Sequence, residues 1–249
     1  MSQAIIIGSP NSGKSLLFNR LTGLNQRVAN FPGITVDIHT GQSILTESPV
    51  ELIDLPGTYS LTPLSEEERV AVQQFKSAVS KEELRLVICL IDSTRLERGL
   101  YFAQQVIAEA HKNNKPVIVV ANMIDTLNFH NLHLDIEGLS DALGVYVSAV
   151  SAKTKEGLER LVQQLNSLES VLPNKYGEIY ANDSIDELKE RAKDLTHRFG
   201  PKGDLLIRAQ NKIDNVILHS IFWRSCIFRG HVFTVSIHLY LGGPIHGRN

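Results

Sequence analysis

The segment that most constrains the fold of this chain is a glycine-containing loop close to its N-terminus. The apolar run Ala4–Ile7 leads directly into GSPNSGKS at positions 8–15, which fits the pattern GxxxxGK[ST]. Gly8 and Gly13 permit backbone conformations in which successive N–H groups turn inward around phosphate oxygens. We therefore predict a strand, a phosphate-binding loop and a helix in that order.

Every residue of this loop is a candidate ligand of a bound phosphate: Gly8, Ser9, Pro10, Asn11, Ser12, Gly13, Lys14 and Ser15. Lys14 is expected to reach the outer phosphates and the Ser15 hydroxyl to bind Mg²⁺. The positive N-terminal end of the following helix would point at the same anion. An ordinary Gly/Ser loop that caps a helix also fits this loose pattern. Motifs further along the chain are therefore needed to distinguish a phosphate-binding loop from such a capping loop.

Composition narrows the class of protein. The chain has 249 residues, enough for one large or two modest domains, and its 43% hydrophobic and 21% charged residues are typical of a soluble globular protein. A net charge of -2 gives no electrostatic support for a nucleic-acid partner. Two cysteines exclude a disulfide framework and favour a reducing cytoplasm. We expect no signal peptide, and no membrane span because no run of about 18 apolar residues occurs.

Apolar runs alternate with helical patterns over the first two thirds of the chain. The predicted strands are 4–7, 38–45, 50–54, 84–92, 116–122 and 145–148, and the predicted helices are 15–24, 100–113, 136–143 and 158–168. This alternation predicts an α/β fold, an open sheet with helices on both faces. Ligands of such sheets bind beyond the carboxyl ends of the strands, which is where the motifs of this chain lie.

Two of these motifs point to a guanine nucleotide with Mg²⁺. The segment Asp54-Leu55-Pro56-Gly57 fits DxxG, in which Asp54 would hold Mg²⁺ through water and the Gly57 N–H would contact the γ-phosphate. The segment Asn122-Met123-Ile124-Asp125 follows a strand. Its Asp125 can accept both N1–H and the exocyclic amine of guanine, and Asn122 would brace the loop. Each segment alone is also compatible with a common turn.

Two further loops complete the set. Ser151-Ala152-Lys153 matches a loop whose backbone N–H caps guanine O6, although Ser148-Ala149 offers a competing frame. The polar segment 27–35 lies between the phosphate loop and Asp54 and is placed to be a switch that includes Gly33, Ile34 and Thr35. Thr35 would complete the Mg²⁺ shell when the γ-phosphate is present. Four elements in this order are far more specific than any one of them.

With these motifs the chain resembles the cytoplasmic G domain of the FeoB-type prokaryotic ferrous-iron transporters. The similar segments are GSPNSGKSLLFNRLTG, VANFPGITVDIHTG, DLPGTYSL, IDSTRLERGLYFAQQV and NMID. The resemblance implies a Ras-like P-loop GTPase sheet with a small all-helical domain, and GTP or GDP bound by the four elements, with Mg²⁺ at Ser15, Thr35 and Asp54. It also implies a place at the cytoplasmic face of the bacterial inner membrane.

The chain departs from most small GTPases at two positions. Met123 stands where the Asn-x-x-Asp element usually has lysine, so apolar contact replaces hydrogen bonds to the phosphate loop. Thr58 follows Gly57 where Ras-like enzymes keep a water-orienting glutamine, so intrinsic GTP hydrolysis is expected to be slow or to use another device. We therefore assign catalysis to Asn11, Thr35 and Gly57, with Asn11 as a K⁺ ligand or as a brace of the loop.

The predicted domains are a G domain over 1–170, a helical domain over 173–218 and a tail over 220–249 that does not look native and is expected to be disordered. Candidate partners are guanine nucleotide, a membrane transport domain of the same full-length protein, small cytoplasmic accessory proteins and a second copy of the chain, without nucleic acid. An RNA-associated GTPase is the second hypothesis, because such proteins share the phosphate-loop pattern. An ATP-using P-loop enzyme is excluded by Asn122 and Asp125.

Overall fold

The computed structural model describes residues 2–23, 26–29, 38–44, 49–63, 65–166 and 177–201. These all belong to the first of two compact units, residues 1–204. The predicted switch loop 27–35 is described only at residues 27–29, which belong to a strand, Gln26–Ala29, and not to a loop. Residues 30–35 of this loop and the predicted tail 220–249 lie outside the described residues. The domain boundaries at 170, 173 and 218 stay predictions. Among the helices that are described, none combines the length and the apolar character that crossing a membrane requires.

The core of the fold is a seven-stranded sheet in the order β2-β3-β4-β1-β5-β6-β7. Its strands are β1 Ser2–Gly8, β2 Gln26–Ala29, β3 Ile38–Gln42, β4 Val50–Asp54, β5 Leu84–Asp92, β6 Val117–Asn122 and β7 Tyr146–Ala149. The pairs from β4 through β1, β5 and β6 to β7 are parallel. The pairs β2–β3 and β3–β4 are antiparallel. The predicted open α/β sheet is therefore confirmed, with an antiparallel edge.

The described part of the chain contains eight α-helices. They are α1 Lys14–Thr22, α2 Glu66–Val79, α3 Leu96–Lys112, α4 Ile124–Phe129, α5 Ile136–Leu143, α6 Leu158–Asn166, α7 Gly177–Asn182 and α8 Ile185–Phe199. Two separate apolar clusters lie on the two faces of the sheet, because alternate residues of β1 point in opposite directions: Ile5 and Ile7 join one cluster, Ala4 and Ile6 the other. Helices α1 and α6 contribute to the second cluster, and α2, α3, α5 and α8 to the first.

Helices α7 and α8 form the described part of the helical segment predicted after Pro173, and they pack against α3. Leu188, Ala192 and Leu195 repeat at the spacing of one helix face and are buried in the cluster that α3 also lines. The Gln104 side chain of α3 donates from Nε2 to the Leu188 carbonyl at 3.1 Å. The two helices are therefore fixed to the sheet through α3 by apolar packing and by a buried hydrogen bond.

Candidate nucleotide-binding site

The phosphate loop connects β1 to α1 at the carboxyl edge of the sheet. Gly13 has a φ of 86°, a backbone conformation that residues with a side chain rarely adopt. A Cβ at this position would also lie 2.3 Å from Nδ2 of Asn122, so there is no room for a side chain. No side chain caps the N-terminus of α1. The first N–H groups of that helix are therefore available to an external anion.

Two residues inside the loop have different surroundings. The Ser12 hydroxyl donates to the Ser9 carbonyl at 2.7 Å, and Ser12 is buried. Asn11 is exposed and has a φ of 63°. Left-handed backbone is accessible to asparagine at lower cost than to most side chains. Asn11 is thus exposed to solvent on the phosphate loop, whereas the buried Ser12 stabilises the turn of this loop through its hydroxyl.

Lys14 and Asp54 meet at the centre of the site. The Lys14 ammonium donates to Oδ1 of Asp54, and both side chains are largely buried. Burial raises the pKa of the Asp54 carboxyl above its ordinary value, and the charge and hydrogen bond of Lys14 offset part of this rise. His39 lies opposite Asp54 across the β3–β4 pair. A carboxylate that is desolvated in this way needs a cation beside it, which Lys14 supplies here.

Gly57 approaches the phosphate loop closely. A Cβ at Gly57 would lie 3.0 Å from the Pro10 nitrogen, so only glycine fits without displacing the loop. The next residue, Thr58, donates its N–H to the Gly8 carbonyl at 3.1 Å and is fully buried. Pro56 is half-buried, while the Leu55 side chain lies in the apolar core, so any nucleotide contact of Leu55 would be through its main chain.

Asn122 connects two loops that are far apart in the sequence. Its Nδ2 donates to the Ser12 carbonyl at 2.8 Å, and its Oδ1 accepts from the Ala152 N–H at 2.9 Å. Its own carbonyl accepts from the Ser93 hydroxyl at 2.5 Å. The bracing role predicted for Asn122 therefore has a concrete form, in which one buried amide holds the phosphate loop against the loop that begins at Ser151.

The segment after Asn122 presents a carboxylate. Met123 adopts a left-handed conformation, with a φ of 68°, and precedes α4. Asp125 lies in the first turn of α4 and is half-buried. Its carboxylate makes no hydrogen bond to another residue of the described part of the chain. Both carboxylate oxygens of Asp125 are therefore free to accept two donors from a ligand.

The loop at Ser151 is a closed turn. Ser151 donates its N–H to the Glu156 carbonyl at 2.9 Å, and its hydroxyl accepts from the Thr154 N–H at 3.1 Å. The competing residue Ser148 lies inside β7, where its hydroxyl donates to Gln164. The Ala152 N–H already donates to Asn122. The Lys153 N–H has no acceptor among the described residues.

Three residues that the sequence analysis did not single out also bear on the site. Arg20 of α1 donates to the Ala152 and Lys153 carbonyls in the loop at Ser151. Oε1 of Gln105 on α3 accepts from the Ser60 hydroxyl at 3.0 Å and from the Leu61 N–H at 2.6 Å. The Arg98 guanidinium lies 3.6 Å from the centre of the Tyr59 ring. The segment that follows Gly57 is thus held by two side chains of α3.

The predicted metal ligands are placed in part. Ser15 is exposed at the start of α1, and Asp54 lies beside Lys14, whereas Gly33, Ile34 and Thr35 fall outside the described residues. A hydroxyl and a carboxylate oxygen are the donor types that Mg²⁺ prefers, so Ser15 and Asp54 fit this ion. Within the described ranges no group of three or more His, Cys, Asp or Glu residues could hold a metal by itself.

Comparison with known proteins gives consistent results. The model of the family described as "Ferrous iron transport protein B" matches residues 2–165. The Fe(2+) transporter FeoB of Legionella pneumophila (strain Paris) is 40% identical over 169 residues, which are 66% of this chain and 21% of that protein. The match thus spans about a fifth of the length of this relative.

Solved structures agree with the sequence matches. The cytosolic domain of L. pneumophila FeoB has a TM-score of 0.67 and 29% identity, with coverage of 81% of this chain and 100% of that one. A GDP-bound mutant of S. thermophilus NFeoB has a TM-score of 0.61 and 29% identity, with coverage of 92% and 95%. Both therefore resemble this chain in overall fold.

Proposed function

Because the chain belongs to the ferrous iron transport protein B family, we propose that it is a guanine-nucleotide switch that slowly hydrolyses GTP and regulates or drives ferrous-iron uptake. The transport itself would take place in a membrane domain of a longer protein, since the match covers about a fifth of a curated relative. The nucleotide domain would then lie at the cytoplasmic face of the inner membrane. Small accessory proteins and a second copy of the chain remain candidate partners.

The observation that carries this proposal is the cross-link through Asn122. It joins the Ser12 carbonyl of the phosphate loop to the Ala152 N–H, and the free carboxylate of Asp125 lies three residues further on. A nucleotide would then have its phosphates at the N-terminus of α1 and its base between Asp125 and the loop at Ser151. Asp125 pairs with two donors that guanine has and adenine lacks.

The residues around the phosphates supply charge and donors. Lys14 would exchange Asp54 for the outer phosphates, and Asp54 would then face the Mg²⁺ held by Ser15 and Thr35. This ion would supply neutralisation of phosphate charge during hydrolysis. The Gly57 N–H is the donor proposed for the γ-phosphate, and its place against Pro10 supports that role.

The surroundings of Thr58 support the slow rate of hydrolysis that we propose. Its side chain is fully buried and its hydroxyl donates to the Ser60 carbonyl at 2.8 Å. A hydroxyl engaged in this way cannot orient an attacking water, and this chain has no glutamine at that position. GTP hydrolysis would then be accelerated mainly by stabilisation of the negative charge that develops on the phosphates in the transition state.

The first test is nucleotide selectivity. Calorimetric titration with GDP, GTP and ATP in the presence of Mg²⁺ is expected to show binding of both guanine nucleotides and no measurable binding of ATP. Release of phosphate from GTP, followed in the same buffer, is expected to be slow and to require Mg²⁺. Binding of ATP with an affinity similar to that of GTP would contradict the proposal.

Potassium dependence tests the role of Asn11. The exposed Asn11 side chain beside the loop could ligate K⁺ against the β- and γ-phosphates, where the cation would neutralise developing charge. Replacing Na⁺ by K⁺ is expected to raise GTP turnover by about fivefold or more in the parent. Asn11→Ala should remove this difference and still bind GTP. Equal turnover in the two salts would mean that Asn11 acts only as a brace.

The contacts of α3 suggest how nucleotide state could reach the helical segment. Gln105 holds Ser60 and Leu61, which follow the γ-phosphate donor Gly57. Gln104, the adjacent residue, is fully buried and holds the Leu188 carbonyl of α8. A shift of the segment after Gly57 would therefore act on α3 next to the residue that binds α8.

Hydrogen–deuterium exchange can test this coupling. In the parent, replacing GDP by a non-hydrolysable GTP analogue is expected to change exchange of the α8 amides. Gln105→Met keeps the side-chain volume but removes the acceptor, so the nucleotide-dependent difference in α8 should fall by about threefold or more. Gln105→Glu keeps an acceptor and should restore it, and exposed Gln73→Met serves as the control. An unchanged difference in Gln105→Met would exclude this route.

The RNA-associated alternative is not supported by the charges of α7 and α8. Each lysine and arginine of residues 177–201 lies within 4.0 Å of a carboxylate on the same segment: Lys189 with Asp186, Arg191 with Asp183, Lys193 with Glu190 and Arg198 with Asp194. A surface that binds phosphate backbones instead needs unneutralised positive charge. RNA affinity that falls steeply with salt would nevertheless favour the alternative.

A further inference from the structure

Arg20, in the last turn of α1, contacts the loop that begins at Ser151. Its Nε donates to the Ala152 carbonyl at 3.1 Å, and one terminal nitrogen donates to the Lys153 carbonyl at 3.4 Å. The residues are separated by 132 and 133 positions. A guanidinium presents its donors in a rigid planar fork, so two carbonyl contacts fix the orientation of the loop more firmly than one.

These contacts define the direction of one particular N–H group. In a trans peptide the carbonyl oxygen of Ala152 and the N–H of Lys153 lie in one plane and point in opposite directions. Arg20 holds the oxygen end of this peptide. Asn122 holds the other side of Ala152 through its N–H at 2.9 Å. The direction of the Lys153 N–H is therefore fixed by the hydrogen bonds at the Ala152 carbonyl and at the Ala152 N–H. The Lys153 N–H itself does not donate to another described residue.

We infer that Arg20 is a positioning residue for base recognition, which aims the Lys153 N–H at guanine O6. This rests on the proposed function. Guanine carries an acceptor at position 6, whereas adenine carries an amine, so an oriented N–H at this point favours guanine. The positive charge on the carbonyl side also polarises the peptide and strengthens its N–H as a donor. Asp125 and Lys153 would then recognise different edges of the same base.

The test compares two ligands, only one of which carries O6. GDP carries O6 and N1–H, whereas the diphosphate of 2-aminopurine riboside carries hydrogen at position 6, has no hydrogen on N1 and keeps the 2-amine. Its weaker pairing with Asp125 is the same in parent and variant, so the effect of a substitution at Arg20 is measured separately for each ligand. Arg20→Met keeps most of the aliphatic stem and removes the donors. It is expected to weaken GDP binding by about tenfold, the equivalent of one hydrogen bond. Binding of the 2-aminopurine nucleotide should change by less than about twofold, because it has no O6 to lose.

Controls separate positioning from general damage. Arg160→Met on the exposed face of α6 should leave both affinities unchanged, and Arg20→Lys should recover part of the GDP affinity because its ammonium can reach one carbonyl. If Arg20→Met weakens the binding of both ligands equally, or does not weaken GDP binding, the inference about Arg20 is wrong. The proposed function as a guanine-nucleotide switch would not be affected by either result. A parent that does not prefer GDP to ADP would overturn the proposed function as well.

Discussion

Replacing Lys14 by alanine is expected to reduce the affinity for GTP and for GDP by roughly a thousandfold, about 4 kcal/mol. Lys14 is the cation at the centre of the phosphate site, and its ammonium is largely shielded from water by the loop and by Asp54. A charge-assisted contact to phosphate in such a place is worth more than an exposed one. Titration of the variant with both nucleotides measures the loss.

The same substitution has a second consequence for stability. Without Lys14 the buried Asp54 carboxylate loses its largest compensating charge and its hydrogen bond, and removing one partner of a buried pair costs about 3 kcal/mol or more. The pKa of Asp54 is already raised by burial, and it should rise further. The folded protein then binds a proton more readily than the unfolded chain, so the variant loses stability as pH rises through that pKa.

Urea denaturation at several pH values separates these two effects. The stability deficit of Lys14→Ala relative to the parent should be largest at neutral and higher pH and should shrink as the pH falls and Asp54 is protonated. The double variant Lys14→Ala with Asp54→Asn should recover stability at pH 7 without recovering nucleotide affinity. A deficit that does not depend on pH would show that Lys14 stabilises the fold by packing alone.

The sheet could be predicted because its signals are local. The continuous apolar run of β5 has the same bounds in sequence and structure, 84–92. Helix α2 was not predicted, although Ser65 accepts from the Glu68 N–H at 3.2 Å in the spacing of an N-terminal cap, and Ala71, Phe75 and Val79 follow at intervals of four. Helix α4 was missed because it is short and begins after a left-handed residue, Met123.

The site could be predicted only where a motif names the residue. Asn122 belongs to a known pattern, and its bracing role could be inferred before its partners were known. Arg20 belongs to no such pattern, because its partners lie more than a hundred residues away and only the fold brings α1 against the loop that begins at Ser151. The glutamines of α3 look like ordinary helix residues, and only the fold brings them against Ser60 and Leu188.

Replacing Asp125 by asparagine is expected to weaken GTP binding by about 2–4 kcal/mol, roughly 30- to 1,000-fold. The carboxylate of Asp125 is half-buried and unpaired within the described structure, and it accepts two donors of guanine in the proposed complex. The asparagine amide keeps one acceptor but places an NH₂ against the exocyclic amine, so one donor of guanine is left unmatched. Asp141 is exposed on a different helix, α5, so Asp141→Asn removes an equal charge outside the proposed pairing and is the matched control.

Xanthine nucleotides distinguish this pairing from a general loss of structure. Xanthine carries a carbonyl in place of the 2-amine, so the amide NH₂ of Asp125→Asn can donate to it while the amide oxygen accepts from N1–H. The parent instead places a carboxylate against that carbonyl, which disfavours binding. The variant should therefore bind xanthosine diphosphate (XDP) more tightly than the parent does, by about tenfold or more. If Asp125→Asn binds GTP as tightly as the parent and its affinity for XDP does not rise, the carboxylate of Asp125 does not recognise the base.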